Sequence, residues 1–480
     1  MYVQYPRLHQ FIAGQWIEGH GDGERAVFNP ASGEEIGRFR LASDDDVDQA
    51  AAAAGQAFLD WRARSPEQRQ ADLQRVAALI RERVDRIASL LSTEGGKPLH
   101  DARREVLRAA TLIEWDAAEG RRLYGRVIPA EPGMHLQTLR EPAGVVAALI
   151  AWNFPVGFMA RKVGGALAAG CAVVLKSTEE TPGTCVAFIE CFADAGLPPG
   201  VISLLIGDPG HIAPRLIAAP VVRVVSFTGS TAVGRIIGHL CAEHIKRSVL
   251  ELGGHAPVLI CEDADIGKTV TALVRGKFLN NAGQVCVAPT RMFVARARYG
   301  EFCEAFAQAA RSLRVDATGN HDVQMGPLIH EQRRATIEAL VEDARARGAR
   351  ILAGGLRVGH RGFFYAPTVL ADVPENARAM NEEPFGPLAL LNPFDSLDEA
   401  LARANALGYG LAAYAFTESA RSARIISERI ETGMLSINHC TAAPPGAPFG
   451  GIKDSGHGRE GGPEGLREFT NIKFVSHKVY

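Results

Sequence analysis

The alternation of apolar and polar positions divides the chain into a helical N-terminal stretch and two regions that alternate strands with helices. In the N-terminal stretch, apolar residues recur every three to four positions, so that they share one face of a helix. Three segments follow this pattern: 44–61, 71–91 and 101–118. The pattern therefore predicts three amphipathic helices ahead of the first long apolar strand.

Short apolar runs rich in β-branched residues follow, and helix-like segments separate them. Strands that are apolar along their whole length are typical of a parallel sheet covered on both faces. This alternation predicts a doubly wound, Rossmann-like α/β domain of the kind that binds nucleotides. The five predicted strands are 143–152, 171–177, 201–207, 221–229 and 247–252.

A second region of alternating strands and helices extends from residue 256 to about residue 440 and predicts a second α/β domain. Its predicted helices lie near 265–281, 299–313 and 331–347, and its predicted strands near 256–263, 291–295, 388–394 and 411–416.

Two further segments, 123–140 and the C-terminal NIKFVSHKVY, alternate apolar and polar residues outside both predicted sheets. A strand at the end of a chain needs a partner for its backbone N–H and C=O groups. We therefore predict that these two segments pair and form a flap that bridges subunits.

Composition narrows the classes of partner. The 480 residues carry 52 basic and 54 acidic side chains, so nothing in the charge favours nucleic acid or an anionic membrane. Eight cysteines without a CxxC pattern indicate a reducing cytoplasm rather than a disulfide framework. No N-terminal signal-peptide core and no apolar run near the roughly 20 residues of a bilayer span is present. The absence of HExxH or clustered His/Cys motifs predicts no metal.

The stretch NNAGQVCVAP, 280–289, carries the first candidate for chemistry. Cys286 follows a polar turn that contains glycine, whereas a buried structural cysteine usually lies in an apolar run. Such a turn can present a thiol to a cavity, where the thiolate acts as a nucleophile. A lone cysteine is more often structural, so the assignment depends on helper residues elsewhere.

Two strand ends supply such helpers. In AWNFP, 151–155, the amide of Asn153 can donate to a developing oxyanion, although a turn asparagine before Phe-Pro is the simpler interpretation. In LELGGHAP, 250–257, Glu251 precedes two glycines and can act as a general base for water. A surface carboxylate at a strand end is the structural alternative.

Two other strand ends suit a dinucleotide. In SFTGSTAVGR, 226–235, Gly229 permits a tight turn and Ser230 is a good N-cap, so the helix start can hold a pyrophosphate. An ordinary capped helix explains the same residues. In LKSTEETP, 175–182, Lys176 and Glu179 follow a strand. A carboxylate there can bond both ribose hydroxyls of NAD and repel the 2′-phosphate of NADP, unless the two charges are merely solvated.

Taken together, the motifs resemble the NAD(P)-dependent aldehyde dehydrogenase superfamily over nearly the whole chain. Eight of them occur in order and at the family's spacing: WNFP, K-x-x-E, FTGSTxxG, ELGG, GQxC, EEPFGP, N-x-x-x-YGL and PFGGxKxSGxGREGG. The resemblance implies an α/β fold with a Rossmann-like cofactor domain, an α/β catalytic domain and a small β oligomerisation flap. The implied limits are 1–122 and 141–252 for the cofactor domain, 253–440 for the catalytic domain, 123–140 and 466–480 for the flap, and 441–465 for an active-site loop and return segment.

The resemblance also implies a mechanism. Cys286 attacks the aldehyde to give a thiohemiacetal, whose oxyanion is held by Asn153 and the backbone N–H of Cys286. After hydride transfer to the cofactor, Glu251 activates the water that hydrolyses the thioester, with Lys162 and Glu460 on a proton path behind it. The implied cofactor is NAD, with NADP possible, and the residues that match its binding site are Trp152, Lys176, Glu179, Thr228, Gly229, Ser230, Gly253, Glu383 and Phe385.

Within the superfamily, the details look closest to succinate-semialdehyde and 2-oxoglutarate-semialdehyde dehydrogenases. Arg161 matches an arginine that binds the distal carboxylate of such substrates. A second arginine is expected where Asn280 stands, and a serine is expected where the chain has 443–445, Ala-Pro-Pro. The prediction is therefore a dicarboxylic semialdehyde, with neutral aliphatic or aromatic aldehydes as the alternative.

Other functional classes are disfavoured by individual residues. Relatives that transfer the acyl group to coenzyme A lack the base that Glu251 supplies. A catalytically inactive structural or binding protein with this fold typically loses the nucleophile or its helpers, and all three are present here. The resemblance further implies a homodimer or homotetramer.

Overall fold

The computed structural model describes residues 5–317, 322–441 and 443–479. No helix in these ranges is both long and apolar enough to span a bilayer. The helices are α1 (Asp44–Ala63), α2 (Pro66–Glu82), α3 (Val84–Gly95), α4 (Leu99–Glu119), α5 (Pro155–Met159), α6 (Gly165–Ala169), α7 (Pro182–Asp194), α8 (Pro209–Ala218), α9 (Thr231–Glu243), α10 (Ile266–Lys277), α11 (Arg296–Arg311), α12 (Glu331–Ala346), α13 (Arg378–Asn381), α14 (Leu397–Asn405), α15 (Ala420–Arg429) and α16 (Gly462–Glu468).

The strands are short, and most of the long apolar ones fall where the sequence predicts them. They are β1 (Gln10–Ile12), β2 (Gln15–Ile17), β3 (Glu24–Phe28), β4 (Glu35–Arg40), β5 (Arg126–Ile128), β6 (Met134–Pro142), β7 (Val145–Leu149), β8 (Ala172–Lys176), β9 (Ile202–Leu205), β10 (Val222–Thr228), β11 (Arg247–Glu251), β12 (Pro257–Ile260), β13 (Arg291–Ala295), β14 (Arg350–Ala353), β15 (Thr368–Ala371), β16 (Leu388–Phe394), β17 (Tyr409–Gly410), β18 (Ala412–Phe416), β19 (Met434–Ile437), β20 (Ile452–Lys453), β21 (Gly456–His457) and β22 (Thr470–Lys478).

The first sheet has eight strands in the order β2-β1-β9-β8-β7-β10-β11-β21. Its five central strands are the predicted ones, and they pair in parallel. At the edges, β1 and β21 pair antiparallel with β9 and β11. The central strands are buried on both faces, which is why they read as uninterrupted apolar runs. The edge strands have only two or three residues, too few to give a periodic signal.

The second sheet has seven strands in the order β14-β15-β16-β13-β12-β18-β19, and all pairs except β14–β15 are parallel. Helices α10 and α11 pack beside it through fully buried phenylalanines, among them Phe278, Phe302 and Phe306. Because the carboxyl ends of parallel strands meet at one edge of a sheet, each sheet offers an edge where side chains from several strands converge.

The single helix predicted over 71–91 is wrong, because the structure has two helices there. Helix α2 ends at Glu82, and α3 begins at Val84. Between them, the backbone of Arg83 leaves the helical region (φ −97°, ψ 15°). With this change of direction, α2 and α3 both pack on α4 and α7. Apolar spacing continues through the break, so the sequence alone does not show it.

The predicted pairing of the two outlying segments is confirmed. Strand β22 pairs antiparallel with β6 along its length, from Thr470 opposite Pro142 to Lys478 opposite Met134, and β5 completes a three-stranded sheet. This flap exposes apolar side chains, including Val127, Ile472 and Phe474.

Candidate active site

The loop after α10 presents Cys286 through three consecutive residues in the left-handed region. Asn281, Ala282 and Gly283 have φ of 51°, 53° and 72°. For residues with a Cβ this conformation costs about 1–2 kcal/mol each, and such strain is typical of functional sites. A Cβ on Gly283 would lie 2.3 Å from the carbonyl oxygen of Gly386, so this position accepts only glycine.

The surroundings of Cys286 disfavour a resting thiolate. The side chain is half-buried at the edge of a cavity. Burial and the carboxylates of Glu383 and Glu251 raise the pKa of the thiol far above its usual value, while the backbone N–H groups of Cys286 and Val287 oppose the shift. The free enzyme therefore holds a protonated thiol at neutral pH, and attack on a substrate requires that proton to leave.

Asn153 lies directly against this loop. Its side-chain amide donates to the carbonyl oxygen of Gln284 at 3.0 Å, and the amide of Asn281 donates to the carbonyl of Asn153 at 3.2 Å. One N–H of the Asn153 amide stays available, because an amide has two and the Gln284 carbonyl takes one. The two segments predicted to act together are thus joined by direct hydrogen bonds.

A buried ion pair that the sequence interpretation missed supports Asn153 from behind. Lys97 and Glu105 pair at 2.5 Å with side chains 2% and 4% exposed. Lys97 Nζ also donates to the carbonyl of Asn153 at 2.8 Å, and Glu105 accepts from the backbone N–H groups of Val156 and Gly157. The signal was a glutamate on the apolar face of the helix predicted over 101–118, where a charge needs a buried partner.

Glu251 ends strand β11 and is 2% exposed, with neither carboxylate oxygen hydrogen-bonded in the described residues. Burial and the carboxylate of Glu460 raise its pKa well above the usual value, against the opposing charges of Lys162 and Arg161. A fully buried glutamate of this kind can serve as a base whose pKa is raised toward the operating pH.

Lys162 and Glu460 lie behind Glu251, as predicted for a proton path. The two form a buried ion pair, and Ser226 contacts both, at 3.1 Å from Lys162 Nζ and 3.2 Å from Glu460 Oε1. Lys162 belongs to a π-helical turn, Ala160–Gly164, between α5 and α6. Such turns are frequent at functional sites.

The residues predicted to bind adenosine and pyrophosphate share the carboxyl edge of the first sheet. Lys176 ends β8 and forms an ion pair with Glu179, whose pKa burial raises. Thr228 ends β10, and its buried Oγ1 has no hydrogen-bond partner in the described residues. Ser230 caps α9 by accepting from the Val233 N–H at 3.3 Å. A free hydroxyl, a capped helix start and a charged pair at one edge fit a dinucleotide.

Gly229 has a different reason for being glycine than the tight turn predicted. Its φ is not positive, but a Cβ there would lie 2.3 Å from the Phe227 ring. Gly253 likewise leaves space, because its Cβ would lie 2.6 Å from Glu383 Oε2. Both glycines therefore serve close packing at the cofactor edge.

The residues predicted near the nicotinamide also cluster. Trp152 and Phe385 stand edge to face with ring centroids 5.7 Å apart. Glu383 accepts from the Gly254 N–H at 3.0 Å, and burial raises its pKa to about 7. Phe385 holds a left-handed φ of 48°, again a strained residue at this site.

A cavity of about 190 Å³ connects Cys286 with both predicted substrate residues, Arg161 and Asn280. Arg161 is 8% exposed, stacks on Phe449 with its guanidinium carbon 4.7 Å from the ring centroid, and leaves Nη1 without a partner among the described residues. Other lining side chains include Lys97, Asp101, Arg104, Glu105, Arg108, Leu112, Phe154 and Phe158.

Known proteins resemble this chain over nearly its whole length. The 4-(hydroxymethyl)benzenesulfonate dehydrogenase of Comamonas testosteroni is 50% identical over 99% of both chains. The succinate-semialdehyde dehydrogenase [NADP(+)] of Escherichia coli (strain K12) is 39% identical over 98% of this chain and 97% of its own length. The NAD+ complex structure of an aldehyde dehydrogenase from Bacillus cereus superposes with a TM-score of 0.97 at 32% identity, covering 100% of this chain and 98% of that one.

These relatives include both NAD- and NADP-linked proteins, and the predicted fold class is confirmed by the structural match. Residues 16–475 match the aldehyde dehydrogenase family. The chain is therefore an enzyme that uses NAD or NADP, and it belongs to the aldehyde dehydrogenase family.

Proposed function

We propose that this aldehyde dehydrogenase oxidises an aldehyde that carries an acidic group at the end away from the carbonyl, with NAD as the preferred acceptor. The observation that carries the proposal is Arg161, a buried guanidinium in the cavity of Cys286 whose Nη1 has no hydrogen-bond partner in the part of the chain that the structure describes. A buried charge without a partner is costly, and a substrate anion offsets that cost. The dicarboxylic semialdehydes predicted from the sequence, succinate semialdehyde and 2-oxoglutarate semialdehyde, belong to this class.

An aromatic acidic aldehyde is the second candidate, because the cavity walls favour it. Phe154, Phe158 and Phe449 line the space that also holds Cys286 and Arg161. A volume of about 190 Å³ exceeds the ~150 Å³ of an apolar cavity that accepts benzene. The relative from C. testosteroni, named for a benzenesulfonate, supports the same candidate.

The chain's own residues account for the steps. The Cys286 thiol gives its proton to water in the cavity, and its Sγ forms a bond to the carbonyl carbon as the carbonyl π bond breaks. The charge that builds on oxygen is held by the Asn153 amide and the Cys286 N–H. Trp152, Glu383 and Phe385 would hold the nicotinamide, which would supply the acceptor for the hydride of that carbon. Glu251 then takes a proton from water as the water attacks the thioester and the carbon–sulfur bond breaks.

A buried cluster of polar side chains is placed to receive the proton that Glu251 takes up. Lys162, Glu460 and Ser226 form a continuous hydrogen-bonded cluster behind Glu251. The raised pKa of Glu251 favours proton uptake from water, and the neighbouring Lys162–Glu460 pair supplies groups that accept the proton afterwards.

The class of substrate is tested by the kcat/KM for NAD reduction across matched pairs of aldehydes. Suitable pairs are succinic semialdehyde with butanal, and 4-formylbenzoate or 4-formylbenzenesulfonate with benzaldehyde. We expect the acidic member of at least one pair to exceed its neutral partner by well over tenfold, about 1.4 kcal/mol of transition-state preference. Equal values in every pair would leave only the neutral-aldehyde alternative.

The preference for NAD is tested by Glu179→Ser. The Glu179 carboxylate, held by Lys176 at the end of β8, repels a 2′-phosphate, so its removal should lower the ratio of kcat/KM for NAD over NADP by about tenfold or more. Glu180→Ser is the matched control, because it removes the same charge from the neighbouring position. A ratio unchanged in Glu179→Ser would contradict the role of this carboxylate.

We also infer a cytoplasmic homodimer or homotetramer with the domain limits given above. The flap supports self-association, because Val127, Ile472 and Phe474 are 86%, 64% and 59% exposed in the single chain. All eight cysteines are free thiols, which supports a reducing compartment. The mass of the protein in solution distinguishes a monomer from the two proposed assemblies.

A further inference from the structure

Arg108 stands apart from the other arginines of helix α4. Arg103 pairs with Asp85, and Arg104 pairs with Asp101 at 2.6 Å. In the described residues, Arg108 has no carboxylate within ion-pair distance. The acid one turn before it, Glu105, is already held by Lys97 and by two backbone N–H groups at the start of α5.

Arg108 lines the same cavity as Cys286 and Arg161. It is half-buried, and its Nη2 donates to the carbonyl of Ala443. Burial, and after it the charges of Arg161 and Arg104, lower its pKa. Asp101 and Glu105 also line this cavity, but they pair with Arg104 and Lys97. Arg108 and Arg161 are the lining guanidinium groups that form no ion pair in the described residues, and an incoming acidic group can stabilise both through charge-assisted hydrogen bonds.

The position of Arg108 bears on two places where the sequence differs from the residues that the resemblance predicts. Asn280 lines the cavity but carries no charge, although the resemblance predicted an arginine there. Ala443 offers only its carbonyl, although a serine was expected in that loop, and this carbonyl orients the Arg108 guanidinium. A second guanidinium without an ion-pair partner in the described residues therefore reaches the cavity from α4 rather than from the loop before Cys286.

We propose that Arg108 is a specificity-determining residue that binds the distal acidic group of the substrate together with Arg161. This inference rests on the proposed function, because it assumes an acidic substrate. It assigns a different element of the fold, helix α4, to the recognition of that acid. Aliphatic and aromatic acidic aldehydes present the same anionic oxygens to the pair, and the test separates them.

The test compares the wild-type protein with Arg108→Met and Arg108→Lys, using kcat/KM for succinic semialdehyde against butanal and for 4-formylbenzoate against benzaldehyde. Arg108→Met should lower the acidic-to-neutral ratio by about 10- to 100-fold, mainly through KM, while the neutral aldehydes change little. Arg108→Lys keeps the charge and should lose less. Arg103→Met on the same helix removes one charge and should leave the ratio intact, and thermal unfolding of each variant checks its fold.

The outcomes distinguish a failure of the role proposed for Arg108 from a failure of the acidic substrate proposed above. A wild-type ratio near one in both pairs overturns the acidic substrate and the role of Arg108 together. A high wild-type ratio that survives in Arg108→Met overturns only the assignment of Arg108. An equal loss for acidic and neutral aldehydes also overturns it, because that result indicates that Arg108 merely holds the loop at Ala443. The pair with the larger wild-type ratio identifies the aliphatic or the aromatic class.

Discussion

Cys286→Ala is expected to lower kcat/KM for every aldehyde by at least about 10⁴-fold, because no other group in the cavity can form the covalent intermediate. The side chain is half-buried, so its removal costs little packing, and the strained turn over 281–283 is set by backbone contacts that alanine retains. NAD reduction under steady-state conditions measures the loss.

Cys440→Ala is the matched control for that variant. Cys440 is the other half-buried thiol, and burial raises its pKa to about 12. The control should keep most of the activity. Full NAD reduction by Cys286→Ala, or loss in Cys440→Ala alone, would contradict the assignment of the nucleophile.

Glu251→Gln is expected to lower kcat by about 10²- to 10⁴-fold, because an amide cannot take a proton from the attacking water. The first turnover should survive, since the Cys286 thiol and the Asn153 amide are untouched. The variant should therefore release a burst of NADH, with one equivalent per active site, followed by a slow steady state. Rapid mixing with a saturating aldehyde measures the burst and the slow phase.

The pH dependence of kcat gives a second readout of Glu251. The base acts only when it is deprotonated, and burial with Glu460 raises its pKa, so the wild-type kcat should rise with pH through a value well above the usual range of a glutamate. Glu251→Gln should lose this rise. A wild-type steady-state rate in the variant, or an acid limb that persists unchanged, would contradict the role of Glu251 as base.

Much of the fold was predictable, because buried parallel strands leave an unambiguous apolar signal. The five central strands of the first sheet and the flap pair of β6 and β22 were found this way. The break at Arg83 and the edge strands β1 and β21 were not. A helix break that keeps its apolar spacing, and pairing by two or three residues, are decided by tertiary contacts that a local pattern does not contain.

The residues of the candidate site could be predicted where they belong to a recognisable sequence motif. The structure brings Cys286 and Asn153 together through the Gln284 carbonyl, and it places Glu251 against Lys162 and Glu460. The sequence interpretation missed the residues that α4 contributes. Glu105 and Arg108 lie in a helix with several other charges, and Lys97 lies just before it. Only the folded chain shows that Lys97 and Glu105 pair while Arg108 forms no ion pair in the described residues.

Intact mass spectrometry of Glu251→Gln shows whether oxidation proceeds through an acyl group on Cys286. The variant is mixed with the best acidic aldehyde and NAD, quenched in acid, weighed and then digested. We expect a mass increase equal to the acyl group, located on the peptide that contains Cys286. The increase should be absent when NAD is omitted. An unmodified protein after a productive burst, or an acyl group on Cys440, would contradict it.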